Sequence, residues 1–344
     1  MTASLMTSPR CAILIVNWNS WALLRDCLTA VMQQSYRNYR VLVADNASTT
    51  PLPPDLQVQF PDVLFIHNET NLGFAAANNE LAALCTDCAW IALLNPDAFP
   101  APDWLAHLMN AAQTAPNDVA VFGSRLIMHH DRTRLDGDGD LYHLSGLAAR
   151  INHNQVITPK TAPEWIFSAC AAAALYRRDS FLTIGGFDTS YFCYFEDVDL
   201  GFRLQLAGYR CLLIPSAIAY HVGSATSGSQ ESDFALYHGH RNLVWTFIKN
   251  MPGVLFWLLL PYHVLLNLFT IAILTRRGRG RIIIRAKIDA LRGLPMYWQQ
   301  RRLIQQQRQV SWRVIWHLLD KRNPVQFLRT WQRRRSLFKS VYRS

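Results

Sequence analysis

CAILIVNWNSWALLRDCLTAVMQQSYRNYRVLVAD, residues 11–45, holds two apolar runs separated by a helical pattern. The first run, CAILIV, ends at Asn17; the second, in YRVLVA, ends at Asp45. Between them Leu23, Leu24, Cys27, Leu28 and Val31 recur at helical spacing. A strand covered on both faces reads as a near-continuous apolar run, and strands joined through a helix lie parallel. This unit predicts an α/β fold: a mostly parallel sheet with helices on both faces.

The alternation continues. VLFI ends at His67, a helix begins near Phe74 after NETNLG, WIALL ends at Asn95, a helix starts in APDWLAHLMNAA, and VAVFG closes the set. In open α/β sheets ligands bind beyond the carboxyl ends of the strands. Asn17, Asp45, Asn95 and Asp97 lie on that edge. Each alone suits a turn or cap; four on one edge point to a binding site. A strand-end carboxylate such as Asp97, with one further ligand, suits a hard divalent cation that also binds phosphate oxygens.

Beyond Gly123 the pattern is irregular. DGDGD, Asp136 to Asp140, spaces its acids as a calcium loop does, but the twelfth position of such a loop is Leu147 rather than Glu. It reads as a polar turn between short strands. FSACAAAALYRR reads as a buried strand of small residues, and LLIPSAIAYH as a strand that ends at His221 before a Ser/Gly-rich loop. Between these strands YFEDVDLGFR, residues 194–203, crowds Glu196, Asp197 and Asp199 behind the aromatic run GGFDTSYFCYF. Carboxylates beside apolar surface are costly to desolvate. The cluster is therefore a solvated helix start, a metal site or a proton acceptor. Asp199 and Arg203, spaced i,i+4, are expected to pair on the solvent side, with Val198, Phe202 and Leu206 on a buried face.

The formal net charge of +10 is unevenly spread: from Arg276 onward 19 Lys and Arg face two acids, so the tail carries +17 and the preceding part −7. A basic tail calls for a polyanion, nucleic acid or an anionic membrane. The tail has no nucleic-acid motif spacing, and no nucleic acid is expected. Gly253–Leu274 contains no Asp, Glu, Lys or Arg over 22 residues. As a helix that is about 33 Å, enough to cross a bilayer core of about 30 Å. The positive-inside rule, however, sets the Arg276 flank in the cytoplasm and would strand the sheet domain outside. Pro261 also invites a break. A re-entrant or in-plane helix pair, both flanks cytoplasmic, removes the conflict. The chain divides into a catalytic unit, residues 1–250, and a hydrophobic then basic helical region, residues 251–344. The N-terminal MTASLMTSPR lacks the apolar core of a signal peptide. Of the seven cysteines, Cys85 and Cys88 alone form a CxxC, with no second pair to complete a zinc site, so reduced structural thiols are expected.

ILIVNWNS, VLVADNAST, NLGFAAANN, LLNPDAF and GGFDTSYFCYFEDVDLGFRLQLAGY, in this order over residues 10–250, resemble family-2 inverting glycosyltransferases of the GT-A fold, in their bacterial rhamnosyltransferase-like branch. The resemblance implies sugar transfer from a dTDP- or UDP-sugar, dTDP-rhamnose among them, to a lipid-linked glycan in cell-surface polysaccharide synthesis. It implies Asp45 as the acid that binds the nucleotide base. Asp97 resembles the last acid of the DxD motif that holds Mg²⁺ or Mn²⁺ and the diphosphate, with Asn95 in place of the first. His221 resembles a histidine that completes the metal site, and Asp197 the catalytic base, with Glu196 in support. Asn17, Asn71, Gly73 and Asn78 match segments near the donor. The setting implied is the cytoplasmic face of the bacterial inner membrane, peripheral or re-entrant on an anionic surface, with a homo-oligomer open. A galactofuranosyl- or hexosaminyltransferase is the nearest alternative. A nucleotidyltransferase would need a Gly-rich basic phosphate loop, which NWNSWALL is not.

Overall fold

The computed structural model describes residues 10–223 and 232–322. The Ser/Gly-rich loop expected after His221 and the WQRRRS cluster lie outside them. The first half runs β1 (Cys11–Asn17), α1 (Trp21–Met32), β2 (Tyr39–Asp45), α2 (Pro54–Gln59), β3 (Val63–His67), α3 (Gly73–Leu84), β4 (Trp90–Leu94), β5 (Ala98–Pro100), α4 (Trp104–Thr114) and β6 (Val119–Met128). Short strands β7 (Leu135–Gly137), β8 (Asp140–Tyr142), β9 (Ala148–Arg150) and β10 (Glu164–Ile166) follow, then β11 (Ala173–Arg177), α5 (Arg178–Thr183), α6 (Glu196–Leu206) and β12 (Arg210–His221). Five helices end the described chain: α7 (Asp233–Asn250), α8 (Gly253–Arg276), α9 (Gly280–Arg292), α10 (Leu294–Gln307) and α11 (Trp312–Leu318).

The main sheet has the order β10-β12-β6-β11-β4-β1-β2-β3, with β5 on β12 and β7 on β6. Its β4-β1-β2-β3 half is parallel, as the opening alternation predicts. The small-residue strand β11 departs from that pattern and runs against both β4 and β6, which makes the whole sheet mixed. Side chains alternate across β1: Cys11, Ile13 and Ile15 pack with α1 and α4, whereas Ala12 and Leu14 pack with α3, α5 and α6. That two-sided cover is why β1 reads as unbroken hydrophobic sequence. A side chain such as Leu28, fully buried on α1, contributes about 2 kcal/mol from burial.

The far face of α6, through Val198, Phe202 and Leu206, packs with Leu243 and Phe247 of α7 and with residues of α8, α10 and α11. α8 is one unbroken helix through Pro261, not the expected pair. Packing on both sides of the proline explains this. Leu255 and Leu259 are buried before it; after it His263 stacks on Phe247 at 4.0 Å and lies 2.9 Å from the Ser145 carbonyl. The proline ring itself sits on the exposed side of the helix, away from these contacts. That side of α8 also leaves Val254, Trp257, Leu258, Leu265, Leu268 and Phe269 exposed. The helix is long and apolar enough to cross a membrane by length and composition.

Candidate active site

The strands β1, β2 and β3 deliver Asn17, Asp45 and His67 to one edge, with Asn17 beside Asp45 and Asp45 beside His67 in the register. Asp45 accepts the Ser48 N–H at 3.1 Å and lies 3.0 Å from His67 Nδ1. Asn17 is fully buried, and both ends of its amide lack a partner. Buried polar groups are nearly always hydrogen-bonded, so an orphaned amide at a strand end marks where a ligand would supply the bond. Asn71 is committed to the turn: its Oδ1 accepts from Gly73 N at 2.9 Å and from Asn46 Nδ2 at 2.8 Å. Gly73 opens α3 at φ +78°, and a Cβ there would come within 2.6 Å of Phe192. Asn78 is buried, with its amide given to the Phe74 carbonyl at 2.9 Å one turn back. Asn71 Oδ1 and Asn78 Nδ2 thus help to shape this edge.

Asp97 and His221 meet although the chain separates them widely. His221 ends β12, which pairs with β5 just after Asp97, and His221 Nε2 lies 3.4 Å from Asp97 Oδ1. His221 Nδ1 is 2.7 Å from Asp136 Oδ2, while the buried Nε2 has no hydrogen bond. Burial pulls the His221 pKa down, but Asp136 and then Asp97 outweigh it and raise it to about 9. The ring with no ion beside it is thus held protonated; with Nδ1–H donated to a carboxylate, Nε2 is the nitrogen whose proton a cation would displace, the arrangement common to metal-binding histidines. The pair therefore fits a divalent ion. Among the described residues no group of three or more His, Cys, Asp or Glu could hold a metal ion, so an ion on this pair would need its other ligands from a substrate's oxygens and water. Asn95, at the DxD position, is anchored by its N–H to Ala172 O at 2.9 Å and leaves a buried Oδ1 without a partner.

The DGDGD segment is not a solvated turn. Asp136, Asp138 and Asp140 are all buried. Asp138 holds Arg125 at 3.0 Å, Asp136 is ion-paired with Arg150, and Asp140 lies opposite Arg150 in the β8–β9 ladder. Neither Asp136 nor Arg150 was legible as a site residue, because their partners come from β12 and from the segment just ahead of β11. Three consecutive residues there tie the site together: Cys170 Sγ receives Arg150 at 3.1 Å, Ala171 N–H donates to Asp197 at 3.3 Å, and Ala172 carries Asn95.

Asp197 stands in the first turn of α6, partly open to solvent, where the Val198 N–H also reaches it at 2.8 Å. Burial raises the pKa of Asp197, and the Ala171 and Val198 N–H groups and Arg150 oppose that rise. Burial and then the Asp197 charge push Glu196 well up and Asp140 to about 8. Of the three acids, Asp197 has the N–H groups of Ala171 and Val198 favouring its charged form, whereas Glu196 has an Oε2 without a partner.

Asp199 pairs with Arg203 at 2.8 Å as expected, but not in solvent. Asp199 is fully buried, and Lys249 at 2.8 Å and Asn250 at 2.7 Å of α7 also bind it. Burial opposes its charge, yet Arg203 and Lys249 prevail and hold its pKa below the usual carboxylate value. The i,i+4 rule found the partner; the packing of α7 over that face decided the burial.

The family model for Glycosyl transferase family 2 matches residues 12–185, and the chain belongs to that family. It is 28% identical over 259 residues to the N-acetylglucosaminyl-diphospho-decaprenol L-rhamnosyltransferase of Mycobacterium tuberculosis, covering 66% of this chain and 80% of that protein. It is 27% identical over 198 residues to rhamnosyltransferase WbbL of Escherichia coli K12, covering 54% of this chain and 73% of that protein. Among solved structures, the mannosyltransferase PcManGT of Pyrobaculum calidifontis with GDP-Man and Mn²⁺ aligns with TM-score 0.53 and 17% identity, over 87% of this chain and 86% of that one. GalNAc-T7 with UDP, GalNAc and Mn²⁺ aligns with TM-score 0.58 and 17% identity, over 71% of this chain and 48% of that one. These likenesses show the GT-A fold.

Proposed function

We propose that this family-2 glycosyltransferase transfers a sugar, with rhamnose the first candidate, from a dTDP- or UDP-sugar to a hydroxyl of a lipid-linked glycan, with inversion at the anomeric carbon. The observation that carries the reading is the division of labour among the acids. Asp197 receives the N–H groups of Ala171 and Val198, which favour its charged form, and it sits one residue across the Ala171–Ala172 peptide from the Asn95–Asp97 edge. The rhamnosyltransferase names of two relatives, one of them acting on a diphospho-decaprenol acceptor, support the donor and acceptor classes.

In this reading Asp45 accepts hydrogen bonds from the nucleoside, and Asn17 and Asn95 satisfy their orphaned amides on the donor. Asp97 and His221 hold the divalent ion, Mg²⁺ or Mn²⁺, and Asp136 fixes the His221 ring. The ion, when bound, offsets charge gathering on the departing diphosphate. Asp197 takes the proton from the acceptor hydroxyl as it attacks, while neutral Glu196 avoids a second charge beside it. Arg150, paired with Asp136 and opposite Asp140, steadies both halves of the site.

The exposed apolar side of α8 supports a membrane-surface enzyme. Trp257 and Leu265, 66% and 64% exposed, have no partner in the described fold that would cover them. Trp257 and Trp298 line one open groove of about 550 Å³ with Phe256, Leu260 and Arg302. A helix apolar on both sides, one packed on the protein along much of its length, suits a position lying in the cytoplasmic leaflet, with arginines of α9 and α10 toward anionic headgroups. The test of the whole reading is transfer to a lipid-diphosphate-linked N-acetylglucosamine from a panel of dTDP- and UDP-sugars, with the anomeric configuration of the product read by NMR. Retention, or nucleotide-sugar synthesis in place of transfer, overturns it.

A further inference from the structure

Just ahead of Asp197 the backbone is strained. Phe192, Tyr194 and Phe195 all take left-handed conformations, with φ of 65°, 66° and 69°. Bulky L-residues rarely enter that region, and such outliers persist only where the surroundings over-determine them. Phe195 is moreover the N-cap of α6, a position that usually takes extended backbone, and no side chain caps the helix there. The direction in which the first turn of α6 leaves the loop therefore depends on whatever holds residues 190–195.

α7 holds them. Asn242 is fully buried, and the two hydrogens of its Nδ2 are shared among the carbonyls of Tyr191 at 3.0 Å, Cys193 at 3.0 Å and Tyr194 at 2.8 Å. Arg241 Nη2 donates to the carbonyls of Ser190 at 3.1 Å and Tyr191 at 3.0 Å. Arg241 Nε donates to Asn242 Oδ1 at 2.9 Å. A guanidinium only donates and a carbonyl only accepts, so this pairing settles which end of the amide faces the loop. The Arg241 guanidinium lies in turn over the Trp245 ring, 4.2 Å from its centroid. On the loop's other side the Phe192 carbonyl accepts from Ala75 N at 3.2 Å, and the ring lies against Gly73. Downstream, Asp199 is anchored by Lys249, Asn250 and Arg203. Slack in the loop would therefore be taken up in the turn between these anchors, where Asp197 stands.

We infer that Asn242, seconded by Arg241, is a positioning residue for transfer: it holds the 190–195 backbone in the left-handed form that sets Asp197 against the acceptor hydroxyl. The inference rests on Asp197 as the base. A small displacement of a catalytic group can cost on the order of 10²-fold in rate. Asn242→Ala should thus lower the turnover number about 10–100-fold, with the affinity for the donor's nucleoside diphosphate changed less than about twofold.

The decisive measurement is a double-mutant cycle on the full chain, with the donor and acceptor that the panel above identifies. If Asn242 acts through Asp197, Asn242→Ala should cost less than about threefold more once Asp197→Asn is present. A slow Asp197→Asn enzyme on which the Asn242→Ala loss is fully additive overturns this inference alone. Unimpaired turnover in Asp197→Asn overturns the base reading and this inference with it. Hydrogen exchange reads the clamp with no substrate. Amides 192–198 should exchange faster in Asn242→Ala while β1, β4 and β6 keep their protection; unchanged exchange in the loop, or equal loss throughout, overturns the role. Should Asn242→Ala not fold, Arg241→Gln removes the donor to the Ser190 carbonyl and the contact on Asn242 Oδ1, while Asn242 Nδ2 still faces the Tyr191, Cys193 and Tyr194 carbonyls. It should lose about 3–10-fold with the same non-additivity, and full activity there counts against the clamp.

Discussion

His221 Nδ1 and Asp136 Oδ2 lie 2.7 Å apart, and that contact turns the imidazole so that Nε2 faces Asp97. Asp136→Asn should therefore weaken divalent-ion binding about 10–100-fold, the usual cost of losing such a supporting carboxylate. Asp97→Ala should abolish the metal-dependent part of the thermal shift given by dTDP or UDP with Mn²⁺. Calorimetric titration of Mn²⁺ in the presence of the nucleotide checks the first, and a melting series the second. An Asp97→Ala protein with the full metal-dependent shift would show the ion is held elsewhere.

Asp197 and Asp199, two positions apart on α6, should fail in different ways. Asp197→Asn should leave nucleotide affinity nearly intact and lower turnover by about 10²–10⁴. Asp199→Asn removes the counter-charge of buried Lys249 and Arg203 and should cost about 3–5 kcal/mol of stability. Glu196→Gln should keep turnover within about threefold, because burial and the Asp197 charge both favour the protonated form of Glu196. Urea melts and transfer rates on the three variants separate these outcomes. A larger rate loss in Glu196→Gln than in Asp197→Asn would exchange the two roles.

Lys287 of α9 is buried with its ammonium on the His240 carbonyl at 2.7 Å. Burial pulls its pKa from the ordinary lysine value down to about 7. Between that value and about 10.4 the unfolded chain holds a proton that the folded chain has lost, so stability rises with pH across the window. Below it the folded state bears the full cost of the buried charge. Lys287→Met should raise the melting temperature most near pH 6, with the gain shrinking toward pH 9. A gain that grows with pH would contradict the assignment.

Docking through the exposed side of α8 predicts that Trp257→Glu with Leu265→Glu releases the protein from vesicles containing anionic phospholipid. The melting temperature should stay within a few degrees, because both side chains are mostly exposed. This pair tests docking better than truncation at Pro252, which would uncover Leu243 and Phe247 of α7. Flotation equal to that of the unmodified chain would leave the apolar side without a lipid role.

Local sequence carried much of the architecture. Cys11–Asp45 encodes β1, α1 and β2 because burial on both faces demands continuous apolar strands, and helical spacing demands a one-sided stripe. The strand-end residues Asn17, Asp45 and Asp97 were legible for the same reason, since a sheet of known direction puts its carboxyl ends together. The antiparallel course of β11 was not, because a short buried strand of small residues carries no mark of direction.

What the sequence by itself determined, then, was the alternation, the polar edge and the acids of α6. Tertiary structure alone decided how those acids differ. The Ala171 N–H favours the charged form of Asp197, burial favours the protonated form of Glu196, and Lys249 and Asn250 on α7 hold Asp199. The same holds for Asp136, which reads as part of a polar turn until β12 brings His221 beside it. A carboxylate's state is set by the dielectric and the donors within a few ångströms, and those arrive from chain segments that no local pattern connects.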